Sequence, residues 1–324
     1  MQSRLATAVA HPNIAFIKYW GNRNHNLRLP SNGSISMNLA GIETRTTCEF
    51  SDSFGGDQFI LNDSEIKGEA LSRVSHFLDH VRVLANIEIW ARIESNNNFP
   101  TGAGIASSSS AFAALALAAT HAAGLKLDER DLSKLARLGS GSASRSVPRG
   151  FVEWEGGEAH DDSYAHSIAP ADHWDLIDCI VVVSKQHKST GSTAGHPLAD
   201  TSPIQAARLA DADRRLDICR TALLAKDFST FAEIVELDCN LMHSVMMTST
   251  PPLFYWQPTT LAIIHAVQSW RAEGLSACYT IDAGPNVHVL CLDGNKDEVN
   301  QRLNDIDGVL QVIMTPPGGP VKLV

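Results

Sequence analysis

PTGAGIASSSS, residues 100–110, runs directly into AFAALALAATHAAG, residues 111–124. A helix start needs one capping hydroxyl, because one side-chain oxygen satisfies an orphan backbone N–H of the first turn. Four consecutive serines behind a Gly-Ala-Gly turn exceed that need, and two readings account for the excess. In one, the serines over-cap a buried alanine helix. In the other, Gly102, Ala103 and Gly104 let backbone N–H groups approach an anion while the helix N-terminus adds partial positive charge. Ser107 and Ser108 then offer hydroxyls to phosphate oxygens or to Mg2+ without adding bulk. The stretch lacks the lysine of GxxxxGK[ST] and the spacing of GxGxxG, so alone it does not decide between the two.

Working outward, the first half alternates short β-branched and aromatic runs with helical ones. ATAVA (6–10), IAFIKYW (14–20), SISMNL (34–39), RTTCEF (45–50), DQFILN (57–62) and IEIWARIES (87–95) predict strands. Residues 64–85 read as one amphipathic helix, and residues 127–139 as another, started by Asp128 and stopped by Gly139. DCIVVVS (178–184) is a further strand. From Pro203 to about Met247 two amphipathic helices dominate, and a third has Pro258 at its start and Gly274 past its end. ACYTI (277–281), VHVLCL (287–292) and VLQVIMT (309–315) predict strands, with a helix near 296–306. Strands grouped against helices give an α+β class, with a domain boundary near Ser184 that divides residues 1–184 from 185–324.

With 324 residues, 44% of them hydrophobic and 19% charged, the chain is expected to be globular. A net charge of −10 argues against a nucleic-acid partner or an anionic membrane surface, since both need a broad basic face. Any bound anion must therefore meet a local cluster of cations. The six cysteines show no CxxC pair, which points to reduced thiols in a cytoplasmic core. The opening MQSRLATAVAHPNIAFIKYW is broken by His11, Pro12, Asn13 and Lys18 too early for a secretory signal, and no run reaches membrane-spanning length.

Such local cation clusters are present. Lys18 stands in IKYWGNRN (17–24), Arg145 in RLGSGSASRS (137–146), and Lys185 and Lys188 in KQHKSTGSTAG (185–195). Each also reads blandly, as a snorkelling lysine, a helix C-cap and a flexible turn. Their joint occurrence favours anion binding. YTIDAGPNVHVL (279–290) places Asp282 at a strand end, where a carboxylate can project into a cleft or bond its own turn. Glycoside hydrolysis and a metal-bound water both lack a second partner, because no HExxH and no ligand-spaced histidines occur.

HPNIAFIKYWG (11–21), NNFPTGAGIASSS (97–109), GSGSASRS (139–146), TGSTAG (190–195) with TSPI (201–204), and YTIDAGPNVHV (279–289) together resemble the mevalonate diphosphate decarboxylases of the GHMP kinase superfamily. The blocks keep the family order from residue 7 to TPPGG (315–319). The resemblance implies a ribosomal-S5-like N-terminal domain and a ferredoxin-like C-terminal domain, with ATP and a phosphorylated mevalonate in the cleft between them. Asp282 then matches the carboxylate that orients or deprotonates the substrate's C3 hydroxyl. Lys18 damps charge on the transferring phosphoryl group, and Arg145 holds the substrate's carboxylate. Tyr19, Ser140, Gly141, Ser142 and Ser192 match contacts to the substrate's phosphate chain, with Asn13 and Trp20 in support. Pro100, Gly102, Ala103, Gly104, Ala106, Ser107 and Ser108 hold the nucleotide, and Ser107 is the candidate Mg2+ ligand. Phosphorylation turns hydroxide into phosphate as leaving group; its departure and loss of CO2 form the alkene. The resemblance also implies a homodimer.

Three departures bear on substrate. Where the family reads KYWGKRD this chain reads KYWGNRN, replacing by Asn22 a lysine that lies beside the substrate's diphosphate. A charge-assisted hydrogen bond of that kind is worth about 1.5–3 kcal/mol, so its loss weakens diphosphate binding about tenfold or more. His11 in AHPNIA is similar to the mevalonate 5-phosphate decarboxylases, and the expectation leans slightly to the 5-phosphate as substrate. Arg149, in VPRGF, is the cation expected to compensate or redirect the site. The alternatives are the 5-diphosphate, a GHMP-type kinase that stops before decarboxylation, and a non-catalytic nucleotide-binding protein.

Overall fold

Alternating inward and outward side chains along Thr44–Ser51, buried at every second position, make one face of a sheet a core and leave the other half-wet. In the computed structural model, which describes residues 4–99, 107–186 and 190–324, this strand is central to a six-stranded sheet. Its order is Lys322–Leu323, Arg4–Ala10, Thr44–Ser51, Trp90–Asn97, Gln58–Leu61, Ser64–Ile66. All pairings are antiparallel except that between Gln58–Leu61 and Trp90–Asn97.

The helix Ser107–Ala122 is apolar around most of its circumference, which requires burial on all sides. Its alanines, among them Ala113, Ala114 and Ala118, allow a close approach to that sheet and to the helices Glu69–Ala85 and Glu129–Gly139. The second of these starts as the sequence predicts, with the Asp128 carboxylate accepting from the Asp131 N–H. Gly139 is the last residue of the helix, and glycine is needed there because the Phe112 ring lies where a Cβ would fall. Residues 64–66 belong to a strand instead of the helix read over 64–85; Gly68, with φ +65°, breaks the two apart.

A second, four-stranded antiparallel sheet runs Ala165–Ala169, Phe151–Trp154, Ser34–Asn38, Asn13–Ile17. A third runs Ala277–Thr280, Val287–Leu292, Leu176–Val182, Gln311–Thr315. The helices Ala212–Ala225, Phe228–Thr248 and Pro258–Ala272 pack on these two sheets, so the class is α+β. Where the sequence predicts two helices between Pro203 and Met247, a short Gln205–Ala210 precedes the two long ones. The division at Ser184 stays a proposal. Leu176–Val182 lies before it yet forms the middle of the third sheet, and Lys322–Leu323 returns to pair with Arg4–Ala10. Among the described residues no helix is long and apolar enough to cross a membrane.

Candidate active site

A cavity of about 970 Å³ opens where the strand Asn13–Ile17, the start of the helix Ser107–Ala122, the turn 140–145 and the loop after Ala277–Thr280 meet. Lys18, one residue past its strand, is 1% exposed, and its Nζ donates to Asp282 Oδ1 at 2.7 Å. Burial pushes the Asp282 carboxyl up, but Lys18, His288 and Arg145 outweigh it and hold the group below its ordinary value. Asp282 is therefore ionised near neutrality, beside a cation and open to the cavity.

The backbone around Lys18 is held from behind by charges. Asp238 Oδ2 accepts from the Lys18 N–H at 2.6 Å, and Asp238 Oδ1 accepts from Arg215 Nε at 2.8 Å. Arg208 donates to the carbonyls of Lys18 (2.8 Å) and Trp20 (3.2 Å), and Asn32 Nδ2 to that of Lys18 (3.1 Å). The Asp282 loop is pinned likewise. His243 bonds the Ile281 carbonyl at 3.2 Å, Cys239 Sγ accepts from the Ile281 N–H at 3.2 Å, and Thr260 donates to Pro285 at 2.7 Å.

Arg145 sits in the 3-10 helix Gly141–Ser146 and is 3% exposed. It donates to Ser34 Oγ (2.6 Å) and Asn13 Oδ1 (3.2 Å), both neutral, and among the described residues it has no carboxylate within ion-pair distance. Burial pulls its guanidinium down to about 10, still charged at neutral pH. Asn13 in turn donates to the Ser142 carbonyl and Ser146 Oγ, fixing the turn. Gly141 is required there because any Cβ would fall 2.5 Å from the Tyr19 ring.

Tyr19, Trp20, Ser140, Ser142 and Ser192 line the same cavity, as do Ser107 and Ser108. The serine run divides by direction. Ser107 and Ser108 face the cavity, with Ser108 Oγ 3.2 Å from Ser140 Oγ, whereas Ser109 and Ser110 are buried, Ser110 against Thr44 Oγ1 at 2.7 Å. Pro100, Gly102, Ala103, Gly104 and Ala106 lie outside the described residues, as does Lys188. Arg149 is not brought to the site. It is exposed, between the Gly141–Ser146 helix and the strand Phe151–Trp154, with Glu129 as its charged neighbour, so it cannot supply the cation missing at position 22. His11 also turns away, bonding the Ile42 carbonyl.

Sequence reasoning missed His196, Arg28 and Arg73, which line the cavity, and the Asp238–Arg215–Arg208 network behind it. His196 lies one residue past the TGSTAG block, stacked against Tyr19 (4.1 Å) and Trp20 (4.8 Å). Its Nδ1 accepts from the Gly21 N–H, which leaves the ring proton on Nε2. Burial first, and Arg28 second, push its pKa down to about 3, so it is neutral. A signal for the network was present: Arg215 and Asp238 occupy the apolar stripes of their helices, with Leu216 and Cys219 on one and Ile234, Val235 and Met242 on the other.

The arrangement is an ionised carboxylate paired with a lysine, an unneutralised arginine and a hydroxyl-rich helix start around one cleft. The family described as "Diphosphomevalonate decarboxylase-like N-terminal domain" matches residues 10–165, and "Mevalonate 5-diphosphate decarboxylase C-terminal domain" matches 179–312. The chain is 41% identical over 312 residues to the diphosphomevalonate decarboxylase of Candida albicans, covering 91% of this chain and 86% of that protein. The mevalonate diphosphate decarboxylase of Staphylococcus aureus superposes with a TM-score of 0.94 at 38% identity, over 100% of this chain and 98% of that one. A structure described as "MDDEF in complex with MVAPP, AMPPCP and Magnesium" does so with a TM-score of 0.93 at 36% identity, over 99% and 98%. The conjunction of that cleft with both domain matches and with full-length similarity places this chain in the diphosphomevalonate decarboxylase family of the GHMP kinase superfamily.

Proposed function

We propose that this chain decarboxylates a 5-phosphorylated mevalonate at the cost of ATP, releasing ADP, phosphate and CO2 and leaving the corresponding isopentenyl phosphate or diphosphate. The observation that carries this is the 2.7 Å Lys18–Asp282 pair facing the cavity that Arg145 also lines. Asp282 accepts the proton of the C3 hydroxyl as its oxygen bonds the γ-phosphorus and the bond to the ADP oxygen breaks. Lys18 offsets negative charge on the group in transit. The C3–O bond then breaks with phosphate leaving, and the electrons of the C–CO2 bond become the alkene. Arg145, whose hydrogen-bond partners Ser34 and Asn13 are neutral, suits the substrate's carboxylate.

Ser107 and Ser108 support nucleotide phosphates at the helix start. Mg2+ fits the site through substrate: among the described residues no group of three His, Cys, Asp or Glu could hold it alone, and Mg2+ commonly binds phosphates plus one or two protein oxygens, here Ser107. When bound it supplies positive charge at the transferring phosphoryl group. The buried thiols agree with a cytoplasmic setting, and the homodimer rests on the family resemblance.

The relatives above are named for the diphosphate. A preference for the 5-phosphate is a second reading favoured by Asn22, whose neutral Oδ1 is taken by the Tyr19 hydroxyl. Parallel measurement of ADP and CO2 release with each phosphorylated mevalonate tests both readings. Equal ADP and CO2 yields are expected from the wild type, with turnover lowered about 10²- to 10⁴-fold in Asp282→Asn. ADP without CO2 would make the protein a kinase. A kcat/KM tenfold higher for the diphosphate would remove the second reading.

A further inference from the structure

We infer that Arg28 binds the phosphate end of the substrate, and that it supplies from the tip of the Asn22–Pro30 hairpin the cation that position 22 lacks. The inference rests on the reading above that the substrate is a phosphorylated mevalonate. The strand Asn22–Asn24 pairs with Leu29–Pro30, and Arg28 precedes the return strand with φ +48°, a left-handed conformation that non-glycine residues rarely adopt. A strained backbone at a cavity wall points to a side chain whose direction matters. Arg28 lines the cavity, and its Nε donates to the Leu138 carbonyl at 2.9 Å, two residues before Ser140. Among the described residues its two terminal nitrogens have no hydrogen-bond partner and no carboxylate pairs with it.

A second guanidinium reinforces the deficit. Arg73 donates to the next carbonyl, Gly139, at 2.8 Å, stacks on Phe112 at 4.7 Å, and lines the same cavity. Burial and then Arg28 itself lower its pKa, to about 10. Two like charges anchored on successive carbonyls beside Tyr19 and Ser140 favour an anion bound between them. Arg28 also acts electrostatically on Tyr19, a residue matched to the substrate's phosphate chain, and this assigns the anion to the substrate.

The test uses Arg28→Asn, because asparagine tolerates the left-handed backbone while removing the charge. The expected result is a KM for the phosphorylated mevalonate raised at least about tenfold. The KM for ATP stays within about twofold, the thermal midpoint is preserved, and Arg28→Lys keeps part of the affinity. Adding Asn22→Lys to Arg28→Asn restores substrate KM, which a merely structural role for Arg28 would not allow. An unmoved substrate KM overturns the inference, and so does a shift confined to ATP. Calorimetric binding of inorganic phosphate and pyrophosphate to wild type and Arg28→Asn needs no turnover. A wild type that binds them and a variant that does not upholds Arg28 even if neither mevalonate is consumed, which would sink the functional reading alone; equal binding sinks Arg28 alone.

Discussion

Arg215, on a helix packed behind Lys18, and Arg145, on the cavity wall, are 0% and 3% exposed, yet their surroundings differ. Arg215 meets Asp238 at 2.8 Å and Asp211 at 3.0 Å and spends its remaining nitrogen on the Arg208 carbonyl. Arg145 meets two neutral oxygens, and its Nε has no partner. A buried cation costs several kcal/mol unless it is paired, so the pairing at Arg215 is what stability requires and its lack at Arg145 is what a ligand can complete. The difference marks Arg215 as a charge the fold satisfies itself and Arg145 as one whose hydrogen-bond partners are neutral. Arg28 and Arg73, half-buried on the same cavity wall, likewise form no ion pair with a carboxylate among the described residues.

The largest effect that would break this contrast is at Asp238. Asp238→Asn leaves Arg215 without its fully buried partner, and a loss of about 3–5 kcal/mol is expected in urea unfolding. A loss under about 1 kcal/mol would mean the network is not what fixes residues 18–20. Arg145→Gln is expected to behave oppositely. Its unfolding free energy holds or rises, while kcat/KM falls about 10- to 150-fold, the value of one charge-assisted bond to an anion. A variant that loses stability and keeps its activity would place Arg145 with Arg215.

The smallest effect concerns pH. His196 is held neutral with a pKa of about 3, below the ordinary 6.5, by burial and then by Arg28. Below pH 6.5 the unfolded chain takes up a proton that the folded one refuses, so stability falls as pH drops from 6.5 toward 3. For this residue the loss between pH 7 and 5.5 is about 1 kcal/mol. His196→Gln should flatten that part of the curve in thermal melts at several pH values; an unchanged slope would show that His196 is not excluded from protonation.

Much of this was legible before any coordinates, for reasons that differ by residue. Strands such as Val287–Leu292 and the cap at Asp128 follow from local pattern, and the sequence predicts both. The shared cavity of Lys18, Arg145 and Asp282 was reachable only through the family blocks, since residues up to 264 positions apart carry no local sign of meeting. Arg149, in VPRGF, is the cation the sequence offers for the site, and nothing in the local pattern marks Arg28. Proximity along the chain misleads here, as the residue after a turn leaves the cavity and the tip of a hairpin enters it. The short strand Ala165–Ala169, with buried ends and half-exposed middle, lacks the alternation that marks a strand and was not foreseen.

Cys239 lies against Ile281, the residue before Asp282, giving its S–H to the carbonyl and accepting the amide. Burial pushes its thiol up to about 12, so in the closed fold it is neither ionised nor accessible. Alkylating reagent can reach it only when this segment detaches from the long helix Phe228–Thr248. The rate at which a mass label accumulates on that one sulfur is therefore a built-in clock for excursions of the Asp282 loop, and a bound substrate that holds the loop shut should slow it.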